Sequence, residues 1–182
     1  MCKYKKIIRD IINCPNVKAT YDGETNPCEK IVNYQKGTLG VRKEDFKGPE
    51  PWNGQLNKSK ILVISSNPGI GDNEVIPTIS WPLRETIDFY QNRFSSKRKW
   101  VKNLCGLQKT DNYSDRKISN WVQTKKRMEY LFGENVKIGS DYALLELVHC
   151  KSTKEKGVSG AIQECTERYF EKTMNISPAK VL

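Results

Sequence analysis

No apolar run in this chain comes near the roughly 20 residues that a membrane-spanning helix needs. The opening stretch, MCKYKKIIRDIIN, sets Lys, Arg and Asp among its isoleucines. It therefore lacks the unbroken apolar centre of a secretion signal. A cytoplasmic protein with no membrane partner is the expectation. The six cysteines include no Cys-x-x-Cys pair, so the signature of a zinc ribbon or finger is missing. In a cytoplasmic chain they argue for free thiols, a metal or a cluster rather than disulfides. There is one histidine, and no internal repeat or low-complexity tract. The 182 residues suffice for one domain with a real core, and a monomer is expected.

What the chain has in excess is positive charge, +10 from 31 basic and 21 acidic residues. Such a balance suits a polyanionic partner, because phosphate contacts release counterions; the plainer reading is a solvated, lysine-rich surface. Part of the excess is clustered. SSKRKWVKN (95–103) sets four cations around Trp100, and TKKR (124–127) adds three. An aromatic among cations is a platform on which single-stranded or flipped nucleotides stack.

Periodicity predicts the elements. Ile7, Ile8, Ile11 and Ile12 share a face of a helix over 4–13, which ends at Cys14-Pro15. Residues 14–57 are rich in Asn, Gly, Pro and charge, which predicts a mostly irregular segment with short regular pieces. Within it GPEPWNG (48–54) reads as turn and loop. KILVIS (60–65) predicts a fully buried strand. Pro82 opens a helix through LRETIDFYQNRF, with Leu83, Ile87, Tyr90 and Phe94 on one face. Ser114 caps a helix that runs to Gly133, its apolar side built from Ile118, Trp121, Val122, Met128 and Leu131. YALLELV (142–148) predicts a second buried strand. A helix from Ser159 to Thr173 points Ile162, Cys165, Tyr169 and Phe170 inward. AKVL (179–182) opens a third strand.

This alternation predicts an α/β fold, a three-layer α/β/α arrangement around a short central parallel sheet. One domain would span 1–182, with 1–57 an N-terminal helix plus irregular segment. A strand that opens at 179 and stops at once suggests a shortened chain lacking its last strand or strands; the other reading is an unusually short edge strand.

Parallel sheets bind ligands beyond the carboxyl ends of their strands. Two such ends are dense in polar groups: Ser66-Asn67-Pro68-Gly69-Ile70-Gly71-Asp72-Asn73-Glu74 and Glu146-Leu147-Val148-His149-Cys150-Lys151-Ser152. ILVISSNPGIG resembles the first motif of the uracil-DNA glycosylase superfamily, an apolar strand running into a Gly-Asn-Pro-Gly-like loop. LELVHCKS, AIQECTERYF and SPAKVL resemble the later stretch of its iron–sulfur branch, in which a strand ends in a cysteine and a second cysteine follows inside a helix. Here these are Cys150 and Cys165, fifteen residues apart. PEPWNGQLNKSK resembles the lead-in to the first motif. The resemblance runs in order over residues 48–182.

The resemblance implies extrusion of a base from DNA and hydrolysis of its N-glycosidic bond. Asn67 would position the attacking water, and Asp72 or Glu74 would serve as a stronger base. The loop Pro68, Gly69, Ile70 and Gly71 would bind substrate, the N–H groups of residues 69–71 touching the base or a phosphate. Trp81, or alternatively Phe89 or Tyr90, would stack on the flipped base. Glu146 stands where the branch has an Asn that reads uracil. An ionised carboxylate only accepts hydrogen bonds, so either a protonated Glu146 or a base rich in N–H donors would fit. His149 would donate to substrate or simply line the strand end. The family's His-Pro-Ser-like second motif has no counterpart here, which predicts weak or absent activity if the chain ends at Leu182. A [4Fe–4S] cluster would take Cys150, Cys165 and two N-terminal partners, Cys14 and Cys28 with Cys2 as a substitute, although the family spaces that pair more closely. Each feature has a plainer reading: Asn67-Pro68-Gly69 as a tight turn, Glu146 as the partner of a buried cation, and the cysteines as small core residues. Two other functions stand beside the glycosylase, a non-catalytic nucleic-acid-binding module on the same fold and a small-molecule α/β hydrolase.

Overall fold

The computed structural model describes residues 3–38, 41–71 and 73–179. Its elements are α1 (Lys3–Ile12), α2 (Pro15–Tyr21), α3 (Glu29–Asn33), a π-helical turn (Tyr34–Thr38), a 3-10 turn (Lys43–Asp45), β1 (Ile61–Ser65), α4 (Leu83–Asn92), β2 (Val101–Lys102), β3 (Cys105–Gly106), α5 (Ser119–Phe132) and β4 (Tyr142–Glu146). A helical rod follows, made of α6 (Val158–Cys165), a π-helical turn (Thr166–Phe170) and α7 (Glu171–Met174). Helix and strand are thus mixed around a small parallel sheet. No helix among the described residues is long and apolar enough to cross a membrane.

β1 and β4 run parallel, from Ile61 opposite Tyr142 to Ser65 opposite Glu146. On the other edge of β4, Asn53 exchanges two backbone bonds with Leu144. The GPEPWNG loop therefore lies along the sheet rather than away from it. β4 has a neighbour on each edge and is buried throughout. β1 is only half-buried, with Ile64 40% exposed, which corrects the fully buried strand expected at 60–65. Among the described residues β4 is its only strand partner. The third strand expected over 179–182 lies outside the described residues apart from Ala179.

Successive side chains of a strand face opposite ways, and β4 uses both. Ala143 and Leu145 join a core with Ile8, Ile11, Val17, Ile31, Val32 and the helical rod. Tyr142 and Leu144 join another with Trp121 and Met128 of α5. α1 buries Ile8, Ile11 and Ile12, as its periodicity predicts. α5 begins four residues later than a Ser114 cap would place it, with Ile118 at the cap position. The Ser114 hydroxyl donates to the Arg116 carbonyl instead of capping the helix, because Ser114 is held in a loop bonded to Gly106. Pro82 precedes α4 in an extended conformation rather than entering its first turn. Gly157, before α6, has φ +80° and lies so close to α3 that a Cβ would fall 2.5 Å from the Ile31 nitrogen. Only glycine satisfies both demands.

Candidate functional site

The carboxyl ends of β1 and β4 meet at one pocket of about 260 Å³. Pro68, Gly69, Ile70 and Gly71 line it from the loop after β1, and Glu146 lines it from the end of β4. Glu74 joins from the same loop, Glu50 from the GPEPWNG segment, Arg93 from beyond α4, and Trp121 and Asn120 from α5. The strand-end loops picked out in the sequence are thus brought together. Asp72 lies outside the described residues.

Charge in this pocket is built inward. Glu50, Arg93 and Lys151 are almost wholly buried, at 3%, 4% and 1% exposure. The Lys151 ammonium donates to Glu50 Oε2, and the Asn53 amide donates to Glu50 Oε1. Arg93 reaches Glu50 Oε2 at 3.5 Å, Asn53 Oδ1 at 3.1 Å and Glu74 Oε1 at 2.6 Å. Its guanidinium also lies over the rings of Trp121 and Phe89, 4.7 and 5.0 Å from their centroids. Burial alone would raise the Glu50 carboxyl, but Lys151 and Arg93 override it and hold it below the usual carboxylate range. Burial would lower Arg93, and Glu74 and Glu50 hold it up instead. Burial lowers Lys151 from its usual value against the pull of Glu50.

Glu146 differs from these groups because no cation among the described residues is hydrogen-bonded or ion-paired to it. It is buried, and its contact is the Ser65 hydroxyl, its register partner on β1, which donates to Oε2 at 2.5 Å. Burial pushes its carboxyl up to about 7, against the lowering effect of Ser65. The native state therefore keeps a proton that the unfolded chain loses near the ordinary glutamate value. Stability should fall as pH rises through that window, by about 3 kcal/mol in all. Glu146→Gln carries no such cost. Its advantage over the wild type should grow from near zero at pH 4.5 to about 3 kcal/mol at pH 8, as urea melts at the two pH values would measure.

Asn67 does not line the pocket. Its amide nitrogen donates to Ser152 Oγ at 3.0 Å and to the Pro68 and Cys150 carbonyls, which ties the two strand-end loops together. Its Oδ1 accepts no hydrogen bond among the described residues, so the atom that would hold a water is unused. His149 is buried away from the pocket. Its Nδ1 faces the Glu50 carbonyl at 2.7 Å, its own carbonyl accepts from the Glu50 nitrogen at 2.8 Å, and its ring meets Tyr169 edge-on. It fixes the Glu50 backbone, and burial lowers it to about 4. Trp81 lines an adjoining recess of about 860 Å³ that shares Ile70 and Glu74 with the pocket. Trp100 packs on Phe89 and Trp81 and is half-buried, whereas Lys97, Arg98 and Lys99 around it are exposed.

Cys14, Cys28, Cys150 and Cys165 fall in one core. Cys28 is lowered to about 7, chiefly by a bond with the Cys165 thiol and then by the Asn16 amide. Cys165 is raised by that same bond, and Cys150 by burial and by nearby Cys14 and Cys28. Among the described residues no three His, Cys, Asp or Glu side chains close around a single metal ion. A four-iron cluster is a larger body than one ion, and a set of four neighbouring thiols is the donor set it takes.

Glu50, Arg93, Asn120 and Trp121 escaped sequence reasoning. Glu50 left a trace, an acid between two prolines; Trp121 was assigned only to an apolar helix face. Compared with family models, with curated proteins and with solved structures, the chain matches none.

Proposed function

We propose that this protein is a DNA glycosylase-like hydrolase of base-excision repair in the cytoplasm, on a three-layer fold of the uracil-DNA glycosylase kind. The observation that carries the reading is the single pocket that gathers the 68–71 loop, Glu74 and Glu146 at two parallel strand ends. Cores on both faces of β4 support the layered fold. A flipped base enters beside Trp121. Glu74, ion-paired with Arg93, takes a proton from a water that attacks the sugar carbon. The C–N bond breaks, its electron pair leaves with the base, and the N–H groups of the 69–71 loop meet the developing negative charge. The exposed cations at 97–99 hold the DNA backbone. Cys14, Cys28, Cys150 and Cys165 would hold a [4Fe–4S] cluster, which would supply one-electron chemistry and a staple between the N-terminal helices and α6.

The test is incubation of the full-length chain with DNA carrying uracil, hypoxanthine or xanthine. Abasic product from at least one is expected, and none from any overturns the reading. One observation favours a non-catalytic DNA-binding module instead, the engagement of the Asn67 amide in joining the two loops. That reading expects salt-dependent DNA binding that survives Asn67→Ala, with no turnover.

A further inference from the structure

The recess beside the pocket is the roomier of the two, about 860 Å³ against about 260 Å³. That is the size of a site for a whole small molecule. Two sets of backbone bonds frame it. On one side residues 73–75 run against 107–109. The Val75 nitrogen donates to the Leu107 carbonyl at 2.8 Å, and the Lys109 nitrogen to the Asn73 carbonyl at 2.9 Å. On the other side Lys47 pairs with Thr78, and the Gly48 nitrogen donates to the Pro77 carbonyl at 3.1 Å. Residues 74–81 run between the two sets, so the hollow is held open by main chain rather than by side chains alone.

Three kinds of group line it. Val75 and Ile76 are apolar, and Trp81 adds a half-buried ring. The Thr78 and Ser80 hydroxyls lie 2.7 Å apart. Arg42, Lys47 and Lys109 set three cations against two carboxylates, Asp45 and Glu74. Both carboxylates are held by arginines, Asp45 by Arg42 at 2.7 Å and Glu74 by Arg93 at 2.6 Å. The balance of the wall is therefore positive, which draws an anion into a concave site. The Lys47 ammonium donates to the Gly71 carbonyl and joins this wall to the glycine loop. Lys109 is exposed. A bare phosphate would leave the ring and the apolar floor unused, and a neutral nucleoside would leave the cations unused.

We propose that this recess is a second binding site, for a nucleoside phosphate, whose flat ring lies on Trp81 against Val75 and Ile76, whose sugar hydroxyls meet Thr78 and Ser80, and whose phosphate faces Lys109. An aromatic face takes any base, because every base has a π-face. The proposal goes beyond the glycosylase reading and does not depend on it. Trp81 and Lys109 line the recess and not the pocket. The ring on Trp81 is thus not the one that would enter beside Trp121. The ligand is either a free mononucleotide or one unit of a single strand, and both carry the same chemistry.

The experiment titrates the full chain with AMP, adenosine, ribose 5-phosphate and a single-stranded deoxyadenosine tetranucleotide, followed by tryptophan fluorescence and calorimetry. AMP should bind about tenfold more tightly than either of its halves, because the two contacts share one tether. Trp81→Ala should weaken AMP about tenfold, and Trp81→Phe should keep most of the affinity. Lys109→Glu changes an exposed side chain, so the fold should survive if Trp81→Ala does not. It should weaken AMP about tenfold at low salt, with the difference shrinking at 1 M salt, where the Debye length is about 3 Å. Adenosine should bind wild type and Lys109→Glu alike. No binding of AMP at about 1 mM overturns the proposal. So does AMP binding no tighter than its halves, Trp81→Phe losing as much as Trp81→Ala, or Lys109→Glu binding AMP like the wild type at low salt. A tetranucleotide at least as tight as AMP assigns the site to a strand; a weaker one assigns it to free nucleotide. No readout involves base release, so failure here leaves the glycosylase reading standing, and the reverse.

Discussion

Replacing Lys151 by methionine should cost about 3–5 kcal/mol of folding stability. The ammonium is 1% exposed and donates to a carboxylate that is itself buried. Methionine keeps the length of the side chain and removes the charge. Glu50 is then left with Arg93 at 3.5 Å, and Arg93 is already engaged by Glu74 at 2.6 Å. The cost arises from the stranded charge rather than from the lost contact, because removing one partner of a buried pair leaves the other's desolvation uncompensated. The double variant Lys151→Met/Glu50→Gln should therefore recover a large part of it. Urea denaturation of the two single variants and the double closes the cycle. A loss below about 1 kcal/mol for Lys151→Met would mean that the pair behaves as if solvated.

Glu74→Gln should lower the rate of base release by about 10²–10⁴-fold if the glycosylase reading holds, which is what a positioned general base contributes. Glutamine can still accept from Arg93, so the fold and the affinity for DNA should change little. The loss is expected in kcat rather than KM. A second variant reaches the same atom from outside. Gly106 in β3 leaves room for the carboxylate, and a Cβ there would lie 2.6 Å from Glu74 Oε1. Gly106→Ala must push the carboxylate aside against the hold of Arg93, and it should reproduce part of the loss. Full activity in both variants, measured as abasic product in single-turnover reactions, would remove Glu74 from the reaction.

The legible part of this protein was local. A short apolar run that turns abruptly polar marks a strand end, and ILVISSNPG and LLELVHCKS both met at the pocket. α1 was legible because four isoleucines can share a face only in a helix. The half-exposure of β1 was not, since an apolar strand looks the same whether one neighbour covers it or two. Glu50, Arg93 and Trp121 were illegible for another reason. Each comes from a different segment, and only the packing of the loop along β4, of α4 and of α5 sets them at one point. Cys14 and Cys28 were reached through resemblance. Their positions at the starts of α2 and α3, beside Cys150, are a property of the packed chain.

Those helices carry a consequence for the order in which the molecule can form. α1 and α2 rest on the rod at the far end of the described chain. The Tyr169 hydroxyl donates to the Asp10 carbonyl, and the Asn16 amide to Glu164, across 159 and 148 residues. On the ribosome the isoleucine face of α1 emerges long before its seat on the rod is made. Until residues 158–174 have left the exit tunnel, Ile8 and Ile11 have no rod to bury against, and closing so long a loop is slow. The nascent chain thus carries an adhesive amphipathic helix with an uncovered face while the residues between α1 and the rod are made. Slower translation should prolong that exposure, and chaperones that hold apolar segments should find their target there.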